Sequence, residues 1–194
     1  LPKLLRFIPG SAQDIRIFFL VMQYWLAGSE DNILNLVIML VQRYARIQDT
    51  HAAHLVKLQA PVEYPEVGIY HPRMKSRLSD QLADLPYTKN SKQPAVGMLL
   101  LRSYLLAGNT DHYDAVIEAI EAKGLRVIPA FSSGLDARQA IDQYFKKDGA
   151  PHIEALVSLT GFSLVGGPAY NDAKAAQVAL KELDVPYIAA HPVE

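Results

Sequence analysis

From Val96 to Ala190 the sequence alternates short aliphatic runs with amphipathic stretches, and this alternation constrains the fold more than any other feature. The runs Val96–Leu101, Leu125–Ala130, Ala155–Leu159 and Tyr187–Ala190 read as strands. Between them Asp111–Lys123, Ala137–Lys146 and Asp172–Leu183 carry apolar residues at helical spacing, as in Tyr113, Val116, Ile117 and Ile120 before the stop at Gly124. Asn109 or Thr110, Asp136 and Asn171 stand where N-caps are expected. Strand-then-helix repetition predicts a parallel sheet with helices on both faces. Adding Val67–Tyr70 gives five strands joined by four crossovers, an α/β layer sandwich of the flavodoxin-like or Rossmann-like kind, with strand order left open.

The first 60 residues read differently. Ser11 and Ser29 each precede a long apolar run and have a polar residue three places on, Asp14 and Asn32, so two helices are expected. In the first, Ile15, Phe18, Phe19, Met22, Trp25 and Leu26 form one stripe, while Ile17, Leu20, Val21 and Tyr24 cover the opposite side. A helix apolar nearly all round is expected to be sandwiched between other elements. The second helix offers Ile33, Leu36, Val37, Leu40, Val41 and Tyr44, and the Gly28–Ser29 turn makes the pair an antiparallel helical hairpin. The expected division is therefore a helical hairpin region over 1–60 and an α/β domain over 61–194. Within the latter, residues 61–94 hold a linker and the first strand. The linker carries Pro61, Pro65, Pro72 and Pro86; after His71-Pro72 the spacing of Met74, Leu78, Leu82 and Leu85 predicts a short crossover helix from Arg73 to Leu85.

Of the 194 residues 50% are apolar, enough to bury a core, and the formal charge is -1, which points away from a net-basic nucleic-acid binder. No cysteine is present, so disulfides, zinc–thiolate sites, iron–sulfur clusters and cysteine nucleophiles are excluded. The longest apolar runs, Ile17–Met22 and Leu36–Val41, fall far below the roughly 18–20 residues a membrane-spanning helix needs, and neither such a span nor a secretory leader is expected. A start at Leu-Pro-Lys and an end at His-Pro-Val-Glu directly after an apolar run read as a piece of something longer.

Ligands of open parallel sheets bind outside the carboxyl ends of the strands. That rule gathers His71, His112, Asp136, Gly166, Gly167 and His191 toward one expected rim. Each has a plainer reading. A lone histidine at a strand end is ordinarily a hydrogen-bonded loop residue, Asp136 is first of all a cap, and a Gly-Gly-Pro turn first of all supplies unusual φ angles. His51 and His54 have a metal-compatible spacing but no third ligand nearby, which favours a solvated pair. Gly-x-Gly-x-x-Gly after the first strand, Gly-x-x-x-x-Gly-Lys-Ser/Thr, Gly-x-Ser-x-Gly and His-Glu-x-x-His are all missing, which disfavours a self-contained dinucleotide enzyme, P-loop ATPase, α/β-hydrolase or zinc protease.

Several longer stretches carry a resemblance: Gln23–Ser29 (QYWLAGS), Gly68–Pro72 (GIYHP), Leu106–Tyr113 (LAGNTDHY), Gly134–Asp136 (GLD) and above all Val157–Ala169 (VSLTGFSLVGGPA). In order and spacing, across essentially the whole chain, they resemble the large H subunits of magnesium chelatase, with the cobalt chelatase large subunit as the near alternative. The resemblance implies a fragment from the N-terminal to central part of a porphyrin-binding subunit. The enzyme is an ATP-dependent ligase that inserts Mg²⁺ into protoporphyrin IX at the head of chlorophyll and bacteriochlorophyll synthesis. It further implies two AAA+ type partner subunits that use the ATP, which accounts for the missing P-loop, and the remainder of the H subunit as a third partner. No nucleic acid is implied. The setting is the cytoplasm, or the plastid stroma in a plant, with peripheral membrane association allowed. A His-Gly-Ser-Leu-Glu sequence associated with metal insertion in the family does not occur here, so no catalytic residue is carried over and the fragment alone is expected to be inactive. His191 stands where an apolar residue is usual, which leans toward the bacteriochlorophyll branch.

Mg²⁺ prefers oxygen ligands and a porphyrin needs an apolar slot with donors for its propionates. Arg102, Phe162 and the backbone of Gly166 and Gly167 are the expected lining, with His71, His112 and Asp136 as polar candidates. The competing expectation is a non-catalytic docking or structural module of a large chelatase subunit.

Overall fold

The computed structural model describes residues 5–45, 57–87, 92–167 and 169–191. His51, His54 and Pro168 lie outside the described residues. The chain separates into two compact units, one from the first 64 residues with Leu106–Gly108, the other from Pro65–Leu105 and Asn109–Glu194.

The first unit is built on two helices, α1 (Ala12–Ala27) and α2 (Glu30–Tyr44). Ser11 already has helical angles, so its side chain makes no cap bond. Gly28 takes φ +65°, a left-handed conformation that ends α1, and the Ser29 hydroxyl accepts the Asn32 N–H at 3.2 Å to start α2. Ile17, Tyr24 and Met39 form the buried centre, with Leu20, Val21, Leu36 and Leu40 packed against it. The expectation that α1 is covered all round is corrected here: the stripe through Ile15, Phe18, Trp25 and Leu26 is solvent-exposed, Trp25 by 64% and Leu26 by 71%. The side facing α2 contains all the packing that a two-helix unit can offer.

What completes this unit is polar. Asn32 donates to the Val62 carbonyl and accepts the Val62 N–H, both at 2.9 Å; Asn35 accepts the Gln59 N–H at 2.8 Å; and the Tyr24 hydroxyl donates to the Gln59 carbonyl. These side chains give the extended segment 57–62 the hydrogen bonds that a neighbouring strand would otherwise supply.

The second unit is a six-stranded sheet in the order β10-β7-β3-β4-β1-β2. The strands are β1 (Val67–Tyr70), β2 (Leu78–Ser79), β3 (Ala95–Leu101), β4 (Arg126–Ser132), β7 (Ala155–Ser158) and β10 (Tyr187–Ala189). The hairpins β5 (Lys146–Lys147) with β6 (Ala150–Pro151), and β8 (Gly166–Gly167) with β9 (Tyr170–Asn171), stand outside it. The helices are α3 (Arg102–Leu106), α4 (Asp111–Glu121), α5 (Arg138–Tyr144) and α6 (Ala173–Leu183). Strand side chains alternate between faces. Ala95 and Leu99 of β3, with Ile128 and Ala130 of β4, join the cluster under α5 and α6; Met98, Leu100, Val127 and Phe131 join the one under α4. The α/β class, the mostly parallel sheet and the helices on both faces are as the sequence predicts.

Two expectations fail together. β3, β4, β7 and β10 are mutually parallel, but β1 runs antiparallel to β4, with Val67 opposite Ser132 and Ile69 opposite Ala130. The crossover helix predicted over Arg73–Leu85 does not form. Arg77 takes φ +41°, its carbonyl accepts the His71 N–H at 3.0 Å, and the chain folds back as β2 against β1 before a short 3-10 turn at Leu82–Asp84. A parallel connection needs a dozen or more residues carried across the sheet, whereas a tight reversal yields an antiparallel neighbour. The apolar periodicity serves another purpose: Met74 and Leu85 are buried in the sheet core without an α-helix between them.

Candidate functional site

The parallel strands place a topological switch point between β3 and β7. The chain leaves β3 for β4 on one side, returns to β7 on the other, and continues outward to β10. The crevice outside the carboxyl ends of β3 and β7 is where such sheets hold ligands. Here it is lined by Leu101, Ser132, Leu135, Ser158, Thr160 and Phe162, and encloses a cavity of about 20 Å³, room for about one water.

His71 is not at this rim. Because β1 is antiparallel, its carboxyl end lies at the opposite end of the sheet. There His71 is fully buried, with Nε2 3.3 Å from both the Tyr87 hydroxyl and Glu121 Oε1, while Nδ1 accepts the Arg73 N–H at 3.2 Å. Nδ1 as acceptor leaves the proton on Nε2, aimed at Glu121 and Tyr87. Burial pushes the imidazole pKa down, and the Glu121 carboxylate opposes this less strongly. Tyr87 donates to Glu121 at 2.6 Å and accepts the Val127 N–H at 3.0 Å; burial, then this bond to Glu121, raises its pKa. Arg73 closes the network on Glu121. This is a satisfied buried network that ties β1, β4 and α4 together.

Arg102 begins α3 at the end of β3, and its Nε donates to the Pro65 carbonyl at 2.9 Å, anchoring the segment that enters β1. His112 lies in the first turn of α4, edge-on to Tyr104 with ring centroids 5.5 Å apart and tilted on Tyr113 at 3.9 Å. Asp136 pairs with Arg138, whose Nη2 approaches to 2.5 Å, and it accepts the Arg138 N–H at 3.0 Å, so it caps α5 from two residues before its first. The guanidinium bonds hold its carboxyl below the ordinary range. For α6 the cap is Asp172, which accepts the Ala175 N–H at 2.9 Å, not Asn171.

Gly166 is required by its conformation and by backbone packing, while Gly167 lies against the movable end of the exposed Leu135 side chain. A Cβ on Gly166, at φ +108°, would stand 2.2 Å from the Tyr170 carbonyl oxygen, and one on Gly167 would stand 2.1 Å from Leu135 Cδ1. Their hairpin is stitched to the loop after β4: Gly166 donates to the Leu135 carbonyl at 2.7 Å, Ala137 to the Leu164 carbonyl at 3.0 Å, and Asp136 bridges to Val165. Phe162, 37% exposed, follows Thr160, whose hydroxyl accepts the Phe162 N–H at 3.3 Å and lies 3.1 Å from Ser158 Oγ. His191 reaches the same rim beside Gly161.

Asp136, Gly166 and Gly167 thus meet where the loops after β4 and β7 join, Phe162 lines the crevice beside them, Arg102 and His112 follow the end of β3, and His71 lies elsewhere. Ser158 and Leu135, which the sequence reading did not single out, line the crevice. The sequence signs available for them are the stretches Val157–Ala169 and Gly134–Asp136 that contain them and, for Ser158, a polar residue ending an apolar run. Among the described residues no group of three or more His, Cys, Asp or Glu could hold a metal ion, and no helix is long and apolar enough to cross a membrane.

The family model for CobN/magnesium chelatase matches residues 22–194. The chain belongs to the CobN/magnesium chelatase family. It is 58% identical over its full length to the magnesium-chelatase H subunit of Cereibacter sphaeroides and 53% identical to that of Rhodobacter capsulatus, and covers 16% of each. Over 206 aligned residues it is 39% identical to the chloroplastic magnesium-chelatase protein ChlH of Oryza sativa subsp. indica, of which it covers 15%. The chain therefore spans about a sixth of the length of these relatives. The catalytic subunit of cobaltochelatase from Mycobacterium tuberculosis shares the fold, at TM-score 0.56 and 21% identity over 90% of this chain and 13% of that one.

Proposed function

We propose that this chain is a segment of the porphyrin-binding H subunit of a magnesium chelatase, a nitrogen–metal bond-forming ligase that inserts Mg²⁺ into protoporphyrin IX. The observation that carries the reading is 58% identity, over the whole chain, to a magnesium-chelatase H subunit. In this reading ATP is used by two AAA+ type partner subunits, the segment alone does not catalyse insertion, and the protein works in the cytoplasm or the stroma. The helical unit that runs on through the segment 57–62 forms one domain and the α/β unit from Pro65 onward the other.

A porphyrin cannot enter a cavity of about 20 Å³. The rim of the second unit therefore serves as a wall: the exposed ring of Phe162 offers an apolar face, and Arg102 and His112 offer donors for propionates at its margin. The test is a titration of the chain with a soluble porphyrin, following the Soret band. Saturable binding weakened about tenfold by Phe162→Ala supports a wall here. Absence of any Soret change with a folded chain overturns it.

The second reading is a docking or structural module, and one observation favours it: Asp136, Gly166 and Gly167 are already committed to internal contacts. Under this reading Asp136→Ala and Phe162→Ala in the full-length protein leave porphyrin affinity unchanged but weaken assembly with the ATPase partners.

A further inference from the structure

The sheet of the second unit has two edges of different character. β2 closes one edge with two residues, flanked by Arg77 and Asp80. Short, charged edges resist pairing with another strand. β10 forms the other edge, and from Tyr187 to Ala190 it has no charge and no proline. It pairs in parallel with β7 on one side, Tyr187 opposite Leu156 and Ala189 opposite Ser158. The Pro186 carbonyl accepts the Leu156 N–H at 2.8 Å, and the Ala190 N–H donates to the Ser158 carbonyl at 2.9 Å. Alternation along a strand then turns the N–H and C=O groups of Tyr187 and Ala189 away from β7, toward the open edge. Ile188 is 55% exposed. Beside β10 an open groove of about 730 Å³ runs under α6, with Leu164, Ala176, Leu180, Val185 and Tyr187 in its lining.

We infer that β10 is an internal strand of the working protein, paired along its open edge with an extended segment of the same large polypeptide that lies outside these 194 residues. The inference rests on the reading of the chain as part of an H subunit. Three observations select this occupant. The edge presents backbone groups and the uncharged side chains of Tyr187, Ile188 and Ala189, which is what a further strand of a parallel sheet requires. The relatives, of which the chain covers 16%, carry ample additional polypeptide, and a tethered segment pairs at high effective concentration. A second copy could offer only another three-residue β10, a contact far short of the roughly 1,000 Å² that a stable interface buries. The groove then receives side chains of the added strand.

The test is residue-resolved hydrogen–deuterium exchange on the full-length protein beside the 194-residue chain. The expected result is that the Tyr187 and Ala189 amides exchange at least about a hundredfold more slowly in the full-length protein, while those of Ile188 and Ala190 are protected in both. Equal, fast exchange of Tyr187 and Ala189 in both proteins overturns the inference. So does protection in the short chain that rises with concentration alongside a dimer in sedimentation, which would make a second copy the occupant. Porphyrin titration of the same full-length sample separates the two readings: protection without porphyrin binding sinks the proposed function and leaves the strand pairing intact. A native polypeptide of only 194 residues would overturn both.

Discussion

Gly166 shows how little freedom the rim has at the scale of one residue. Its φ of +108° and a Cβ position 2.2 Å from a backbone carbonyl leave no soft neighbour to yield. Gly166→Ala is expected to cost about 2 kcal/mol or more in urea unfolding, by strain together with loss of the β8–β9 hairpin. A cost below half of that would show that the hairpin relaxes freely. His71 supports a prediction of a different kind. Its folded pKa is depressed, so the unfolded chain binds the proton more readily, and the stability this neutral imidazole confers is present above about pH 6.5 and lost as pH falls through the folded value. Tyr87, Glu121, Arg73 and Asp114 are the polar or charged groups that face it. His152, also depressed by burial and by Arg126 and Lys147, adds a slope of the same sign. His71→Asn should therefore flatten, without abolishing, the fall in unfolding free energy between pH 7.5 and 5, at a cost of about 1–3 kcal/mol at pH 7.5 from the unsatisfied partners. An unchanged pH slope would mean that folding leaves the proton affinity of His71 as it is in the unfolded chain.

At the scale of elements, periodicity revealed what was buried better than how. β3, β4, β7, β10, α4, α5 and α6 were legible because each needs only its own pattern and a stop such as Gly124. The direction of β1 was not, since a strand carries no mark of polarity in its composition; that information lay in Arg77, a residue with no special claim to φ +41°. Once β1 is reversed, His71 leaves the rim, so one error about a connection became an error about the site. The loops after β3 and β4 leave the strand ends that the sequence pattern gives them, because those strands form as expected. In the first unit the unread feature is the pair of asparagines on α2. Asn32 and Asn35 are 1% and 8% exposed, on a face where helical patterning expects aliphatics, because the segment 57–62 brings backbone groups that must be satisfied. Asn32→Ala removes both bonds to Val62 and is expected to cost about 2–3 kcal/mol and to speed amide exchange at Val62. Asn32→Leu, which restores apolar volume but no hydrogen bond, should not rescue it. A stable leucine variant would show that the segment is held by packing instead.

For the molecule as a whole, the question is which apolar surface belongs to the chain's own core. Net charge gives no help: eight Lys/Arg against twelve Asp/Glu in residues 95–194 is mild, and the total is -1. Exposure discriminates better. Tyr24, 2% exposed, sits in the centre of the first unit and bonds to Gln59, while Phe18 and Leu26 on the same helix are 59% and 71% exposed. A contiguous exposed stripe of this kind marks surface that a larger assembly covers, or surface that aggregates. The stripe is legible in the sequence, which leaves both an internal sandwich and a cover from the rest of a longer chain open, because hydropathy alone does not say whether the covering element lies within the same 194 residues. The two assignments predict opposite responses to Phe18→Gln with Leu26→Gln. If the stripe is not part of the unit's own core, the double variant keeps its unfolding free energy within about 0.5 kcal/mol of the parent and scatters less light as concentration rises. Tyr24→Phe, which only deletes the bond to Gln59, should cost about 1 kcal/mol, more than both surface changes together. A double variant that unfolds while Tyr24→Phe does not would place Phe18 and Leu26 inside a core, and α1 would be the covered helix that its sequence first suggested.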